Sequence, residues 1–289
     1  ASFAMNHRGE LTHQLQEFVE AIELIDIHNQ QPTKGQLAAP QLPIASIYQA
    51  LCLGVKDYIR KNGFPGALLG LSGGVDSALT LAIAVDALGA DNVRTVMRPS
   101  QYTADISLAD ANEMVELLGI KHYQCSIQFL FDQYLSTVEA DLHITPDPNG
   151  SNTMPENLQA RIRGNLLMAL SNQSGSIVLT TGNKSEMAVG YCTLYGDMAG
   201  GFAVLKDVSK TMVYQLCEYR NQISPVIPER IIQRAPSAEL RANQTDQDTL
   251  PPYEILDAII EAYVEKNYSP AEIMALNHNE ADVARVIHL

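Results

Sequence analysis

The sequence contains no apolar run approaching the length of a membrane span, and its first residues lack the basic-then-apolar order of a secretion signal. A cytoplasmic chain with no membrane partner is the expectation. Basic residues are few, 19 Lys and Arg against 33 Asp and Glu, for a formal net charge of −14. A protein whose main partner is a nucleic-acid backbone needs clustered Lys and Arg, so that class is disfavoured. A polyanionic small molecule would require local positive charge or a divalent metal. Cysteine is sparse as well. Cys52, Cys125, Cys192 and Cys217 stand far apart with no C-x-x-C pair, which predicts reduced, buried thiols rather than a zinc site or a disulfide frame. None of the seven histidines has metal-ligand spacing to another His or Cys. Internal repeats and low-complexity tracts are missing, and so is the Gly-Lys-Ser/Thr of a Walker phosphate loop.

What is present is an ordinary globular composition, 46% hydrophobic, organised around residues 67–80. Ala67-Leu68-Leu69-Gly70-Leu71 is an apolar run, Ser72-Gly73-Gly74 a turn, and Val75-Asp76-Ser77-Ala78-Leu79 opens an Ala/Leu-rich helical pattern. That order predicts a buried strand, a tight loop and a helix N-terminus, where glycines admit a close ligand and backbone N–H groups attract an anion. Asp76 stands where a phosphate would bind. A bare carboxylate repels phosphate, so Asp76 fits best with Mg²⁺ between the two.

The rest of the chain alternates. Residues 1–30 hold two short extended runs around Arg8-Gly9, a hairpin signal that cannot form a core alone and so reads as the edge of an upstream sheet. Residues 31–43, with three prolines, read as a linker. From Ile44 the spacing predicts a helix to Lys61, then strands at 93–97, 121–126 and 177–181, with helices at 104–118, 127–138, 156–170 and 209–221. Residues 144–155 read as a mobile loop, and the C-terminal part as largely helical. Strand–helix alternation predicts an α/β domain, a parallel sheet with helices on both faces, binding ligands at the carboxyl ends of its strands. Thr181 and Glu186 follow one strand as the glycine loop follows another, and so share an edge with Asp76; Arg161 and Lys210 supply basic charge there.

These stretches together resemble the NAD⁺ synthetases. The resemblance covers residues 44–289 and rests on Leu71-Ser72-Gly73-Gly74-Val75-Asp76-Ser77, Glu156-Asn157-Leu158-Gln159-Ala160-Arg161-Ile162-Arg163, Thr181-Gly182-Asn183-Lys184-Ser185-Glu186 and Tyr195-Gly196-Asp197. Lys206-Asp207-Val208-Ser209-Lys210, Pro236-Ser237-Ala238-Glu239-Leu240 and Gln244-Thr245-Asp246 extend it. The first string is shared by all ATP pyrophosphatases, while the ordered set is specific to this family. The fold it implies is Rossmann-like, of the adenine nucleotide alpha-hydrolase type. The reaction it implies is adenylation of the nicotinate carboxylate of deamido-NAD⁺ by ATP, then amidation by ammonia to NAD⁺, AMP and pyrophosphate.

By the same resemblance, Gly70, Leu71, Ser72, Gly73, Gly74, Val75, Asp76 and Ser77 cradle the ATP phosphates, and Thr181, Lys210 and Ser237 match further ATP positions. Asp76 and Glu186 match metal positions, and Asn157, Arg161 and Glu186 deamido-NAD⁺ positions. No covalent nucleophile is implied. Residues 1–30 resemble the tail of a nitrilase-like glutaminase domain, and Leu194 replaces a lysine of ammonia-only relatives; both favour the glutamine-dependent branch. The glutaminase nucleophile and the family's basic C-terminal tail are not found in these residues, and a homodimer or higher homo-oligomer is expected. The rival readings are a GMP- or asparagine-synthetase-like ligase, a tRNA-modifying enzyme, and a nucleotide sensor without catalysis.

Overall fold

The computed structural model describes residues 2–143 and 153–289, apart from the side chain of Leu142. Ala1–Gly54 and Val55–Leu289 are two compact units, the division falling inside a helix.

In the first unit, β1 (Phe3–Met5) and β2 (Leu11–Gln14) form the expected antiparallel hairpin, with Phe3 opposite Gln14 and a register shift at Ala4/Met5. Its turn is closed by the Asn6 side-chain oxygen, which accepts from the Arg8 and Glu10 N–H groups, and by Gly9 at φ +77°. A second hairpin, β3 (Ile27–His28) with β4 (Gln31–Pro32), straddles residue 30. Its two turn residues, Asn29 and Gln30, both have positive φ, the geometry that matches strand twist. With only two strands per sheet, Phe3, Ile22 and Leu24 remain exposed. Helix α1 (Pro43–Lys61) follows.

The second unit is built on β5 (Ala67–Gly70), α2 (Val75–Leu88), β6 (Val93–Met97), α3 (Asp105–Leu118), β7 (Lys121–Gln124), α4 (Gln128–Leu142), α5 (Met154–Ser174), β8 (Ile177–Thr180), α6 (Lys184–Ala188) and β9 (Phe202–Ala203). The helical remainder is α7 (Lys210–Ile223), α8 (Glu229–Gln233), α9 (Tyr253–Ile260), α10 (Pro270–Ala275) and α11 (Glu280–His288). The five strands form one parallel sheet in the order β7-β6-β5-β8-β9, with Ala67 paired to both Val93 and Ile177. Both β5 and β8 are buried along their length, as strands covered on both faces must be. Helix α2 packs on β5 and β6, and α5 on β5 and β8. Leu79, Leu81 and Ile83 of α2 are fully buried, so this helix is apolar all round rather than amphipathic.

The chain leaves β5 toward β6 on one side and reaches β8 on the other, so strand order reverses between β5 and β8. Such a crevice is where open α/β sheets bind ligands. A separate apolar cluster joins Leu256 and Ile259 of α9 to Ile273 of α10 and Val283 of α11.

Three expectations need correction. Only Cys217 is buried; Cys52 and Cys192 are half-buried, and Cys125 is exposed because it follows β7, an edge strand whose end is open to solvent. The stretch 144–155 lies mostly outside the described residues, but Met154 and Pro155 belong to the first turn of α5, where proline's missing N–H costs nothing. The two-residue β9 is an additional strand, too short to give any periodicity. No helix of the described residues is long and apolar enough to cross a membrane.

Candidate functional site

A cleft of about 570 Å³ opens at the carboxyl edge of the sheet, between the ends of β5 and β8. The residues 70–77 bend from strand to helix there. Gly73 takes φ +77°, and a Cβ on it would run into the backbone of Ser107 in α3, so both conformation and space require glycine. Gly74 precedes α2 without a side-chain cap, leaving the helix N-terminus open to an anion. The two serines brace the turn: Ser77 Oγ donates to the Gly74 carbonyl at 2.9 Å and lies 3.1 Å from Ser72 Oγ, which accepts from the Gly74 N–H at 3.2 Å.

At the foot of this loop sits Lys210, the first residue of α7, 2% exposed. Its Nζ donates to Asp76 Oδ2 at 2.6 Å and to Glu186 Oε1 at 3.0 Å, and lies 5.1 Å from the centre of the Tyr253 ring. Three elements therefore meet on one ammonium: α2 brings Asp76, α6 brings Glu186 and α7 brings the lysine. Asn183 ties the first two together. Its Nδ2 donates to Asp76 Oδ1 at 2.8 Å, while its Oδ1 accepts from the Glu186 N–H at 3.0 Å in a capping box. The lysine backbone is anchored too, its N–H donating to Ser185 Oγ at 2.8 Å. Ser185 bonds Asp257, which also accepts from the Thr211 N–H at 2.9 Å.

The electrostatics follow from that crowding. Burial and the neighbouring Asp76 carboxylate push Glu186 up to about 7, against the pull of Lys210. Burial opposes the lysine's charge, but the two carboxylates outweigh it and hold its pKa above the ordinary value. Behind the ammonium, buried Asp246 accepts from Tyr253 at 2.7 Å and from Tyr191 at 3.2 Å. Burial and Asp246 raise both phenols, keeping them neutral donors.

Two carboxylates share a single ammonium here, which leaves the cluster formally anionic. An all-oxygen pair of this kind fits a hard divalent cation that completes its coordination with water and phosphate oxygens. Among the described residues no group of three or more His, Cys, Asp or Glu could hold a metal, so these two would have to suffice.

Of the residues expected at the site, Gly70, Ser72, Gly74, Val75, Asp76, Ser77, Thr181, Glu186, Lys210 and Ser237 line the cleft. Leu71 and Gly73 do not; the Leu71 side chain is buried and its N–H donates to the Val96 carbonyl at 3.1 Å. Asn157 and Arg161 also lie off the cleft, on the face of α5 beside residues 193–194. Asn157 accepts from Thr193 Oγ1 at 2.7 Å, and Arg161 Nε donates to the Leu194 carbonyl at 3.2 Å.

Sequence reasoning missed the other arginines. Arg98, after β6, and Arg163, in α5, line the cleft and exchange hydrogen bonds through their backbones: Arg98 Nη1 to Arg163 O at 2.6 Å, Arg163 Nε to Arg98 O at 3.1 Å. Burial and Arg163 lower Arg98 to about 9, and burial lowers Arg163 to about 10 with Glu239 opposing. Arg98 Nε has no hydrogen-bond partner among the described residues. Such a pair, positive and dry, suits an anion. Asn183 could have been found from the sequence, since Asn183-x-x-Glu186 after a strand has the form of a capping box.

Comparison with known proteins gives the family. A family model described as NAD synthase matches residues 47–289. The chain is 50% identical over 293 aligned residues to a glutamine-dependent NAD(+) synthetase of Acinetobacter baylyi, covering 100% of this chain and 53% of the relative. Among solved structures it resembles a glutamine-dependent NAD+ synthetase of Acinetobacter baumannii in complex with ADP, at 44% identity and a TM-score of 0.76 over 99% of this chain and 52% of that one. An NMN synthetase of Francisella tularensis is 30% identical, with a TM-score of 0.69 over 77% of this chain and 87% of that one. The chain thus spans about half the length of the curated relatives it matches. On the family model and these relatives, the chain belongs to the NAD synthase family.

Proposed function

We propose that this chain carries out the ligation that completes NAD⁺: ATP adenylates the nicotinate carboxylate of deamido-NAD⁺, and ammonia displaces AMP from the acyl-adenylate. The observation that carries the reading is the Asp76–Lys210–Glu186 cluster at the foot of an uncapped glycine loop, in a chain of this family. A carboxylate is a poor acyl donor, and a mixed anhydride with AMP supplies the leaving group. The carboxylate oxygen bonds to the α-phosphorus as the bond to pyrophosphate breaks; ammonia then adds to the carbonyl, loses a proton, and AMP departs.

The chain's own part is to hold and neutralise charge. Residues 70–77, Thr181 and Ser237 bind ATP, with Lys210 against its phosphates in a site too dry for water to screen it. Asp76 and Glu186 hold Mg²⁺, which when bound supplies Lewis-acid stabilisation of the departing pyrophosphate. Asn157, Arg161 and Glu186 bind deamido-NAD⁺. Residues 44–289 are the synthetase domain, 31–43 a linker and 1–30 the tail of an upstream glutaminase domain, which in a longer parent protein would deliver ammonia from glutamine. The parent works in the cytoplasm, and the chain acts as a homodimer.

Exchange of labelled pyrophosphate into ATP, with ammonia withheld, tests the first half-reaction. Deamido-NAD⁺ should support it. Exchange driven instead by nicotinate mononucleotide would move the chain toward the chemistry named for the Francisella relative. Exchange with neither, alongside tight ATP binding, would favour a sensor. Amidation with ammonium salts should fall as pH drops and NH₃ becomes NH₄⁺.

A further inference from the structure

The two adjacent glycines that let residues 70–77 approach a ligand also leave the peptide plane between them without a side chain to fix it. In a trans peptide the Gly73 carbonyl and the Gly74 N–H point in opposite directions. Whichever faces the cleft decides whether the loop offers an anion a donor or a repelling oxygen.

Here the plane is held by a residue from outside the loop that itself lines the cleft. Arg234, in the segment after α8, donates from Nη2 to the Gly73 carbonyl at 2.7 Å and from Nη1 to Ser107 Oγ at 2.9 Å. Ser107 is fully buried in α3, and its Oγ donates a hydrogen bond to Glu239 Oε1 at 2.5 Å. The other Glu239 oxygen accepts from the Ala104 N–H at 3.3 Å. Glu239 sits at φ +50°, a left-handed conformation that a glutamate adopts only when its surroundings require it. On the opposite side of the plane the Gly74 N–H donates to Ser72 Oγ, and both Ser72 and Gly74 line the cleft while Gly73 does not.

We propose that Arg234 is a positioning residue for the nucleotide's phosphates. It fixes the Gly73 carbonyl so that the Gly74 N–H stays on the opposite side of the plane, resting on Ser72 Oγ until a phosphate oxygen can take that place. Ser107 and Glu239 keep the guanidinium in place, which makes seating of residues 234–239 a condition for a correctly formed phosphate loop. This deepens the proposed function and rests on its reading that ATP phosphates occupy residues 70–77.

The test is calorimetric binding of ATP and of adenosine to the 289-residue chain, without acyl substrate. Arg234→Ala should weaken ATP by about 10- to 100-fold, the range for a lost charge-assisted hydrogen bond, and leave adenosine within about twofold. Arg234→Lys should lose about tenfold for ATP, because one ammonium nitrogen does not reproduce the fork in which two separate guanidinium nitrogens reach the Gly73 carbonyl and Ser107 Oγ. This variant carries the test if the alanine variant fails to fold by circular dichroism. ATP affinity within about twofold of wild type in the folded variant, or adenosine weakened as much as ATP, would overturn the assignment. A wild-type chain that binds no ATP would remove the reading beneath it, a failure visible before any variant is made.

Discussion

The two ends of the candidate site are built differently. Around Lys210 each charged group is held by more than one partner: Asp76 by Asn183 and Lys210, Glu186 by Lys210 and the capping box of its own helix, and the lysine backbone by Ser185. On α5, Arg161 is exposed and donates to a loop carbonyl at 3.2 Å, and the adjacent Leu194 and Tyr195 are exposed, Tyr195 at positive φ. The first arrangement suits a task where charge must be met without reorganisation, as in phosphate activation. The second suits recognition of a larger substrate whose contacts form on binding. On the proposed function, chemistry would fall to the buried strand ends and substrate recognition to the open helix face.

The largest break in that contrast should come from Asp76→Asn, which removes one arm of the cluster. Adenylation should fall by about 10²–10³-fold with the fold retained by circular dichroism. Near-normal pyrophosphate release would contradict the role given to Asp76. Arg161→Ala should act at the other end alone, raising KM for deamido-NAD⁺ about tenfold with KM for ATP unchanged. A parallel rise in both constants would show that the two ends are not separate.

Gly73→Ala should sharpen the rigidity argument. Its φ of +77° and the Ser107 backbone leave no room for a methyl, so stability should drop by about 1–3 kcal/mol in chemical denaturation. A loss that small change in α3 could absorb, with ATP affinity intact, would mean the loop is more pliant than drawn. The smallest effect lies away from both ends. Burial lowers the pKa of His122, whose Nδ1 lies 2.8 Å from Thr95 Oγ1. A group protonated more readily in the unfolded chain costs stability as pH falls through and below 6.5. His122→Gln should therefore flatten the acid side of the Tm profile, and an unchanged profile would assign that slope to other groups.

The same division marks what the sequence made legible. The glycine loop could be read because it is local: strand, glycines, carboxylate and helix are contiguous, and burial of β5 and β8 follows from their unbroken apolar runs. Thr181, Glu186 and Lys210 could be placed because each follows a strand or opens a helix. Arg98, Arg163 and Arg234 could not, since their partners are backbone carbonyls and a hydroxyl reached by folding, which leave no spacing to detect. Asn157 and Arg161 were readable as helix residues, but which face of α5 meets the cleft depends on how the helix packs. Cys125 was misjudged for a related reason, because edge-strand exposure is set by sheet order and not by composition.

The most direct measurement is product analysis with ATP, deamido-NAD⁺ and an ammonium salt supplied to this chain. The account predicts NAD⁺ and AMP in equal amounts, both lost in Lys210→Ala, and no NAD⁺ when glutamine replaces ammonium with contaminating ammonia removed. Formation of ADP in place of AMP, or NAD⁺ production undiminished in Lys210→Ala, would contradict it.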